Sequence, residues 1–314
     1  MTTRERMLHL AQNGSRADDY LPAAFFLHFP EDCHTGQAAV DKHVEFYRTT
    51  GNDILKIQYE HKYPAMSEIR EPRDWAKMPC HGADFYADQL DVVAGVVKEL
   101  GDETVIIVTL YSPFMFAGQV VGKETLTRHF AEDPSAVRGG LDVIVESMGY
   151  FIDGCIDRGI DGFYASTQGG EIGRLEPDVF DTFVKPTDLA VWDMFREKTP
   201  FNVLHVCDYA APYASFDRYV DYPGHIVSAP NEVGGKPISG WEVAALFGRP
   251  FLGGMERLGV ISTGPQDEIR KQAARAIEAG PEAMVLGADC TLAADTDWQN
   301  IATATAVAHA WKRG

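Results

Sequence analysis

The feature that most constrains the fold is a regular alternation of short apolar runs with longer amphipathic stretches. The apolar runs predict strands at 23–29, 53–59, 104–110, 160–166, 201–207, 225–229, 250–253 and 283–287. The amphipathic stretches predict helices that include 37–48, 83–100, 239–247, 267–279 and 298–311. Such an order is typical of β/α units around a parallel sheet. We therefore predict an α/β protein, a single-domain (β/α)8 TIM barrel over residues 1–314, with a doubly wound open sheet as the alternative.

Composition narrows the possible partners. The chain has 314 residues, 45% of them hydrophobic, and a net charge of −18. Such negative charge disfavours binding to nucleic acid or to an anionic membrane surface. Residues 1–20 lack the apolar core of a signal peptide, so we expect a cytoplasmic protein. The five cysteines are odd in number and widely scattered, which does not indicate a disulfide framework, so a functional cysteine would be a ligand or a nucleophile.

Two possible metal ligands fall at the end of one predicted strand. His205 and Cys207 are two positions apart, so their side chains point to the same face of that strand. Cys290 follows the last predicted strand, and the carboxyl ends of barrel strands converge on one rim. Imidazole nitrogen and thiolate sulfur are ligands that zinc favours, and three protein ligands leave a position open for catalysis.

The His-x-Cys pair alone does not establish a metal site. With 10 histidines and 5 cysteines in the chain, about 0.16 such pairs are expected by chance. A buried cysteine that packs as a small apolar residue beside a hydrogen-bonded histidine is the structural alternative. The position of the residues at strand ends favours the metal site.

The order of several segments resembles the uroporphyrinogen decarboxylase superfamily across nearly the whole chain. The segments are Gly51–Ile57, Tyr111–Phe114, Gly159–Phe163, the His205-Val-Cys207 pair and Gly287–Leu292. Within that superfamily, His-x-Cys followed some eighty residues later by a lone cysteine is similar to the zinc-binding branch. That branch contains corrinoid-linked methyltransferases such as the methylcobamide:coenzyme M methyltransferases.

The resemblance implies a (β/α)8 barrel with Zn²⁺ held by His205, Cys207 and Cys290. It also implies transfer of a methyl group between a methylcorrinoid, supplied by a corrinoid-binding partner protein, and a small methyl donor or acceptor such as a thiol. The direction of transfer is left open, and a homodimer is possible. Glu232, after the sixth predicted strand, is a candidate fourth ligand, with a solvated loop glutamate as its alternative.

Two other functions stay open. The first is a metal-free decarboxylase of the same superfamily, although true uroporphyrinogen decarboxylases bind their polycarboxylate substrate through arginines after the first strand. Residues 21–44 contain no arginine. Asp53 aligns loosely with the acidic residue of the decarboxylases, and a turn or cap residue is its alternative reading. The second is a barrel protein that binds small molecules without catalysis.

Four further residues are weaker candidates because they fall at or just beyond predicted strand ends, where barrel enzymes place substrate contacts. Tyr111 and Tyr164 are candidate catalytic residues. Gly169 and Gly170 are candidate cofactor-binding residues, because glycine lets the backbone approach a bulky group. A structural role is the alternative for each of them.

Overall fold

The core of the protein is a curved sheet of seven parallel strands, which we describe from a computed structural model covering residues 1–312. The order in the sheet is β1-β2-β3-β4-β5-β8-β9. The strands are β1 Ile54–Ile57, β2 Val105–Tyr111, β3 Gly162–Thr167, β4 Val203–Val206, β5 Ile226–Ser228, β8 Phe251–Met255 and β9 Met284–Ala288. Two short antiparallel strands, β6 Glu232–Val233 and β7 Lys236–Pro237, form a separate hairpin. Seven predicted strands are thereby confirmed.

Helices connect the strands, as parallel pairing requires. They are α1 Thr3–Asn13, α2 Gly36–Thr50, α3 Ala87–Leu100, α4 Pro113–Val121, α5 Lys123–Glu132, α6 Pro134–Asp157, α7 Pro177–Val179, α8 Lys185–Phe195, α9 Gly240–Phe247, α10 Val260–Thr263, α11 Gln266–Glu278 and α12 Trp298–Ala310. The predicted helix 83–100 is divided, because Ala83–Tyr86 form a 3-10 turn before α3. Within residues 1–312, no helix has both the length and the hydrophobicity that crossing a bilayer requires.

Alternate residues of each strand face opposite sides of the sheet. Leu55, Ile106 and Leu204 are buried in the apolar core that also contains helix residues. Ile54 and Val203, each one position away, belong to a different cluster on the concave side of the sheet. His205 has the same parity as Val203, so the fold directs its side chain into the concave side.

The segment predicted as the first strand lies between the two edge strands of the sheet. Ala24 N donates to Leu286 O at 2.8 Å, and Asp53 N donates to Ala23 O at 2.8 Å. The pairing is limited to isolated parallel bridges at Ala23 and Leu27. The prediction of eight regular strands is therefore confirmed for seven, while residues 23–29 pair without forming a continuous strand.

Helix α1 lies against the amino ends of the strands. Its apolar residues Met7 and Leu10 pack in the concave-side cluster with Ile54 and Val105. Arg4 fixes the helix there, because its guanidinium forms two hydrogen bonds to the carboxylate of Asp161, at 2.5 and 2.6 Å. This arrangement covers the amino-terminal end of the concave side and leaves the functional groups at the other end.

Candidate metal centre

Three potential metal ligands converge on the concave side of the sheet. His205, Cys207 and Cys290 each offer one ligand atom, and these atoms all lie within 4.8 Å of one another. His205 Nε2 is 3.3 Å from Cys290 Sγ. All three residues are buried, with exposed fractions of 2%, 5% and 8%. Within residues 1–312, no other group of three histidine, cysteine or acidic ligands meets this spacing.

The strands explain why residues distant in sequence meet here. His205 lies within β4, and Cys207 directly follows that strand. Cys290 follows β9 by two positions. Both strands run in the same direction, so their carboxyl ends reach the same end of the sheet. The prediction that these three residues come together is therefore matched by the geometry.

A hydrogen-bonded chain orients the imidazole of His205. Its Nδ1 lies 3.3 Å from Ser228 Oγ, which in turn accepts a hydrogen bond from Tyr164 Oη at 3.2 Å. The ring of Tyr164 also lies against the imidazole, with ring centres 4.9 Å apart. A metal-binding histidine commonly uses its second nitrogen in this way, which leaves Nε2 directed at the metal.

Cys207 is held by polar groups of neighbouring segments. Gln168 Nε2 donates a hydrogen bond to Cys207 Sγ at 3.4 Å. Tyr213 Oη donates to the carbonyl of Cys207 at 3.0 Å. These contacts fix the side chain and the backbone of Cys207 on a rigid support, which a preorganised ligand requires.

The donor set fits a divalent cation because the protein alone cannot ionise both thiols. A hydrogen bond to Cys290 and burial raise the pKa of Cys207 well above its ordinary value. Accepting that hydrogen bond lowers the pKa of Cys290. Without a cation, these interactions favour a protonated Cys207 that donates to Cys290. Zinc would bind both as thiolates, and it favours this combination of sulfur and nitrogen donors.

Charged residues flank the two cysteines in the adjacent loops. Arg257 Nη1 donates to Asp208 Oδ1 at 2.8 Å, and Arg257 N donates to Asp289 Oδ1 at 2.8 Å. The two aspartates are the immediate neighbours of Cys207 and Cys290. Arg257 thus links the two loops that carry the sulfur ligands, a role that the sequence pattern did not indicate.

Lys56 is a second residue of the site that sequence analysis missed. It lies in β1 and is 5% exposed. Its ammonium lies over the rings of Phe26 and Tyr164, at 4.6 and 4.4 Å from their centres. A single lysine in the otherwise apolar run Ile54–Ile57 was the signal that could have identified it.

The candidate catalytic residues fall in three different places. Tyr164 contacts His205, as described above. Tyr111 is the last residue of β2, at the carboxyl end of the sheet. Burial is the main cause that raises the pKa of its phenol, and the charge of Glu60 is the second. Asp53 precedes β1 at the opposite end, where it accepts hydrogen bonds from Tyr20 Oη, Ala23 N and His309 Nε2 at 2.5, 2.8 and 2.8 Å. This position favours the structural reading of Asp53.

The remaining candidates lie outside the ligand group. Glu232 is exposed in the β6–β7 hairpin and does not belong to the group of ligand atoms within 4.8 Å. Gly169 has a positive φ of 108°, and its nitrogen donates to Glu171 Oε2 at 2.5 Å. A Cβ on Gly170 would lie 2.4 Å from Tyr219 Oη. The chain's own packing therefore accounts for the glycine at position 170.

The sequence of the chain matches the family model described as uroporphyrinogen decarboxylase (URO-D) over residues 54–311. The chain belongs to this family. The match extends from β1 to the residue after α12 and includes all three potential metal ligands. A search of curated protein sequences gave no significant match.

Several solved structures share the fold. A methyltransferase from Methanosarcina mazei is 15% identical, with a TM-score of 0.75 and 98% of each chain covered. A B12-independent methionine synthase from Shewanella sp. W3-18-1, in complex with selenomethionine, is 10% identical, with a TM-score of 0.57 over 92% of this chain and 97% of that one. An endo-1,4-beta-mannanase from Rhizomucor miehei is also 10% identical, with a TM-score of 0.53 over 93% and 95%. Because the fold carries different activities, the site must decide the function.

Proposed function

We propose that the protein is a zinc-dependent methyltransferase that moves a methyl group between a corrinoid carried by a partner protein and a small donor or acceptor. The observation that carries the proposal is the convergence of His205, Cys207 and Cys290 at the carboxyl end of the sheet. Membership of the uroporphyrinogen decarboxylase family and the fold shared with a methyltransferase support it.

Three protein ligands would hold zinc and leave one coordination position for the substrate. Bound zinc would keep a substrate thiol ionised at neutral pH, where a free thiol with a pKa near 8.5 is mostly protonated. The same position would suit the oxygen, nitrogen or sulfur of a methyl donor. Two cysteine thiolates offset the charge of the cation, so a sulfur bound there would stay nucleophilic.

The protein's own residues would position the reactants. Ser228 and Tyr164 hold the imidazole of His205, and Gln168 donates to the sulfur of Cys207. Arg257, in the loop after β8, binds Asp208 in the loop after β4 and Asp289 in the segment after β9. It therefore holds these three segments together. Burial of the ligands would exclude bulk water from the position where the substrate binds.

We also infer that residues 23–27 complete the sheet as the eighth member of a closed (β/α)8 barrel. The segment forms backbone hydrogen bonds to Leu286 on one side and to Asp53 on the other. The amide of Asn52 adds two more, to the nitrogen and the oxygen of Phe25, at 3.2 and 2.9 Å. A closed barrel would explain why Cys290, which follows β9, and His205, in β4, lie at the same rim.

The first test is metal content and methyl transfer. Protein expressed with added zinc is expected to contain one zinc per chain. The loaded protein is then mixed with methylcobalamin, as a stand-in for the corrinoid protein, and a small thiol. Transfer is followed by the loss of the methylcobalt absorption spectrum. Cys207→Ser and Cys290→Ser are expected to lose zinc and transfer together, whereas Cys80→Ser, an exposed cysteine, retains both.

Three results would contradict the proposal. A zinc content well below one per chain after supplementation would remove its basis. In a second result, the protein holds one zinc per chain and yet transfers no methyl group, either from methylcobalamin to a thiol or from a methyl donor to reduced cobalamin. That result would favour a barrel that binds small molecules without catalysis. Decarboxylation that survives chelation and does not require Cys290 would instead identify the metal-free alternative.

A further inference from the structure

A cavity of about 620 Å³ lies between the segment that follows β1 and the junction of α4 with α5. None of the residues that line it is a potential metal ligand or one of the residues that hold those ligands. Sites for small molecules commonly have volumes of roughly 300 to 1,000 Å³. The cavity is therefore large enough for a ligand of its own.

Hydrogen bonds hold the two walls of this cavity together. Met66 N donates to Val120 O at 2.9 Å. Three positions earlier in the same segment, Tyr63 N donates to Gln119 Oε1 at 2.9 Å. The segment after β1 is thus fixed against α4, and the cavity is preformed, as sites for small molecules usually are.

The cavity combines an apolar surface with two guanidinium groups. No aspartate or glutamate lines it, although the chain has 46 acidic residues against 28 lysines and arginines. The cavity is therefore a local positive site on an acidic protein. Its apolar side chains are those of Met66, Ile69, Val120 and Val121, and its guanidinium groups are those of Arg70 and Arg128.

A buried histidine brings the two arginines together. Trp75 Nε1 donates to Nδ1 of His129 at 3.2 Å, so the hydrogen of this imidazole lies on Nε2, which donates to the carbonyl of Arg70 at 3.0 Å. His129 is 0% exposed. Arg128 Nη2 is 3.5 Å from the same Nε2 and thus no more than 6.5 Å from the carbonyl oxygen of Arg70. The packing of His129 therefore places both arginines at one part of the cavity.

The protein itself uses only part of the hydrogen-bonding capacity of these guanidinium groups. Arg70 Nε donates to the carbonyl of Ser67 at 3.2 Å, and Arg70 forms no ion pair within residues 1–312. Arg128 Nε is 3.7 Å from Glu132 Oε1, and both side chains are more than half exposed, so that pair contributes little. A guanidinium binds acidic oxygen groups through parallel hydrogen bonds. Both arginines can therefore bind an acidic ligand.

We propose that this cavity binds a small organic dianion, with its acidic oxygen group on Arg70 and Arg128 and its apolar body against the four apolar side chains. Phosphate monoesters and dicarboxylates that carry an apolar group share this chemistry. Two guanidinium groups match two negative charges, and the apolar surface favours an organic molecule over an inorganic anion. The inference does not depend on the proposed function, because the cavity shares no residue with the metal centre.

The test is calorimetric titration at pH 8 with three probes that carry the same phenyl ring. Phenyl phosphate and phenylmalonate are dianions, whereas benzyl alcohol is neutral. We expect a dianion to bind at least about tenfold more tightly than the alcohol, as for a charge-assisted hydrogen bond. The tighter of the two dianions distinguishes a phosphate ligand from a dicarboxylate. Inorganic phosphate and malonate, which lack the ring, should each bind about tenfold more weakly than their phenyl derivatives.

Three variants locate the binding site. Arg70→Gln and Arg128→Gln are each expected to weaken binding of the dianion by about tenfold and to leave binding of benzyl alcohol unchanged. Thr125→Phe, which adds a ring to a residue that lines the cavity, should weaken binding of every probe. Arg270→Gln removes an exposed arginine of α11 that is paired with Asp267, and this matched control should bind like the unaltered protein. Melting temperatures verify that each variant is folded.

Equal binding of the dianions and the alcohol by the unaltered protein would overturn the proposal. A preference for the dianion that survives in both arginine variants would also overturn it, because other groups would then bind the charge. Removal of metal with a chelator should leave the affinity unchanged, and a loss of binding would mean that the anion binds the metal instead. Failure of the protein to take up zinc would contradict the proposed function and leave this site unaffected.

Discussion

His205 Nδ1 lies 3.3 Å from Ser228 Oγ, and the two residues are register partners on the neighbouring parallel strands β4 and β5. The hydroxyl therefore approaches the imidazole from the adjacent strand, on a backbone that the sheet holds rigid. This pairing leaves Nε2 directed at Cys290. It makes Ser228 the first residue to test outside the three ligands.

Ser228→Ala is expected to lower zinc affinity by about 10- to 100-fold, the usual effect of losing a partner of a ligating histidine. Competition with a chelator of known affinity measures this change. Ser166→Ala is the matched control, because Ser166 is the register partner of His205 on the other side, in β3. A loss of affinity as large in Ser166→Ala as in Ser228→Ala would indicate a general disturbance of the sheet instead.

Glu232→Gln is expected to leave zinc content and zinc affinity unchanged within about twofold. Glu232 is exposed in the hairpin and lies outside the group of ligand atoms, so an exposed carboxylate should contribute little. The same chelator competition measures the affinity. A tenfold weaker affinity in this variant would show instead that the hairpin moves to supply a fourth ligand.

Asp188→Asn should stabilise the protein at high pH. Asp188 accepts hydrogen bonds from Thr167 Oγ1 and Tyr222 Oη at 2.8 and 3.0 Å, and burial raises its pKa from 3.8 to about 7. The folded state therefore keeps this proton to a higher pH than the unfolded chain, and the free energy of unfolding decreases as pH rises from about 4 to about 7. Above that window the substitution is expected to add about 3 to 4 kcal/mol.

Urea denaturation at pH 4, 6 and 8 measures the effect of Asp188→Asn. The gain should be small at pH 4 and largest at pH 8. Asp193→Asn, on the same helix but exposed and paired with Arg196, should change stability little at any pH. A gain that is the same at all three pH values would mean that Asp188 does not titrate in this range.

Asp53→Ala is expected to lower the free energy of unfolding by about 2 kcal/mol, because three hydrogen-bond donors, among them the buried backbone nitrogen of Ala23, would lose their acceptor. Those donors are Tyr20 Oη, Ala23 N and His309 Nε2. Zinc content per folded molecule should stay unchanged, since Asp53 lies at the opposite end of the strands. Loss of zinc from protein that is still folded would place Asp53 in the functional site after all.

The strands were predictable because parallel strands are buried on both faces and appear as apolar runs. Residues 23–29 form such a run, yet they pair only through bridges at Ala23 and Leu27. Composition cannot distinguish a regular ladder from interrupted pairing. Helix α1 was not predicted either, since its apolar face is limited to Met7, Leu10 and Ala11, and its packing partners come from distant strands.

The three potential ligands could be predicted because residue type, spacing and strand ends coincide at His205 and Cys207. The groups around them could not. Ser228 and Arg257 act through contacts with residues that are 23 and 49 positions away, and no local pattern marks either one. Lys56 is different, because a lysine inside an apolar strand is visible in the sequence and only its orientation required the structure.

Helix α1 closes the amino end of the concave side, with Arg4 bound to Asp161 and Met7 and Leu10 packed beneath the strands. The centre formed by His205, Cys207 and Cys290 is therefore approached from the carboxyl end of the strands. Under the proposed methyl transfer, the methyl donor and the methyl acceptor would both have to enter from that end. If a corrinoid-carrying partner protein docks at that end, as the proposed function requires, the small substrate would have to bind before the partner and leave after it.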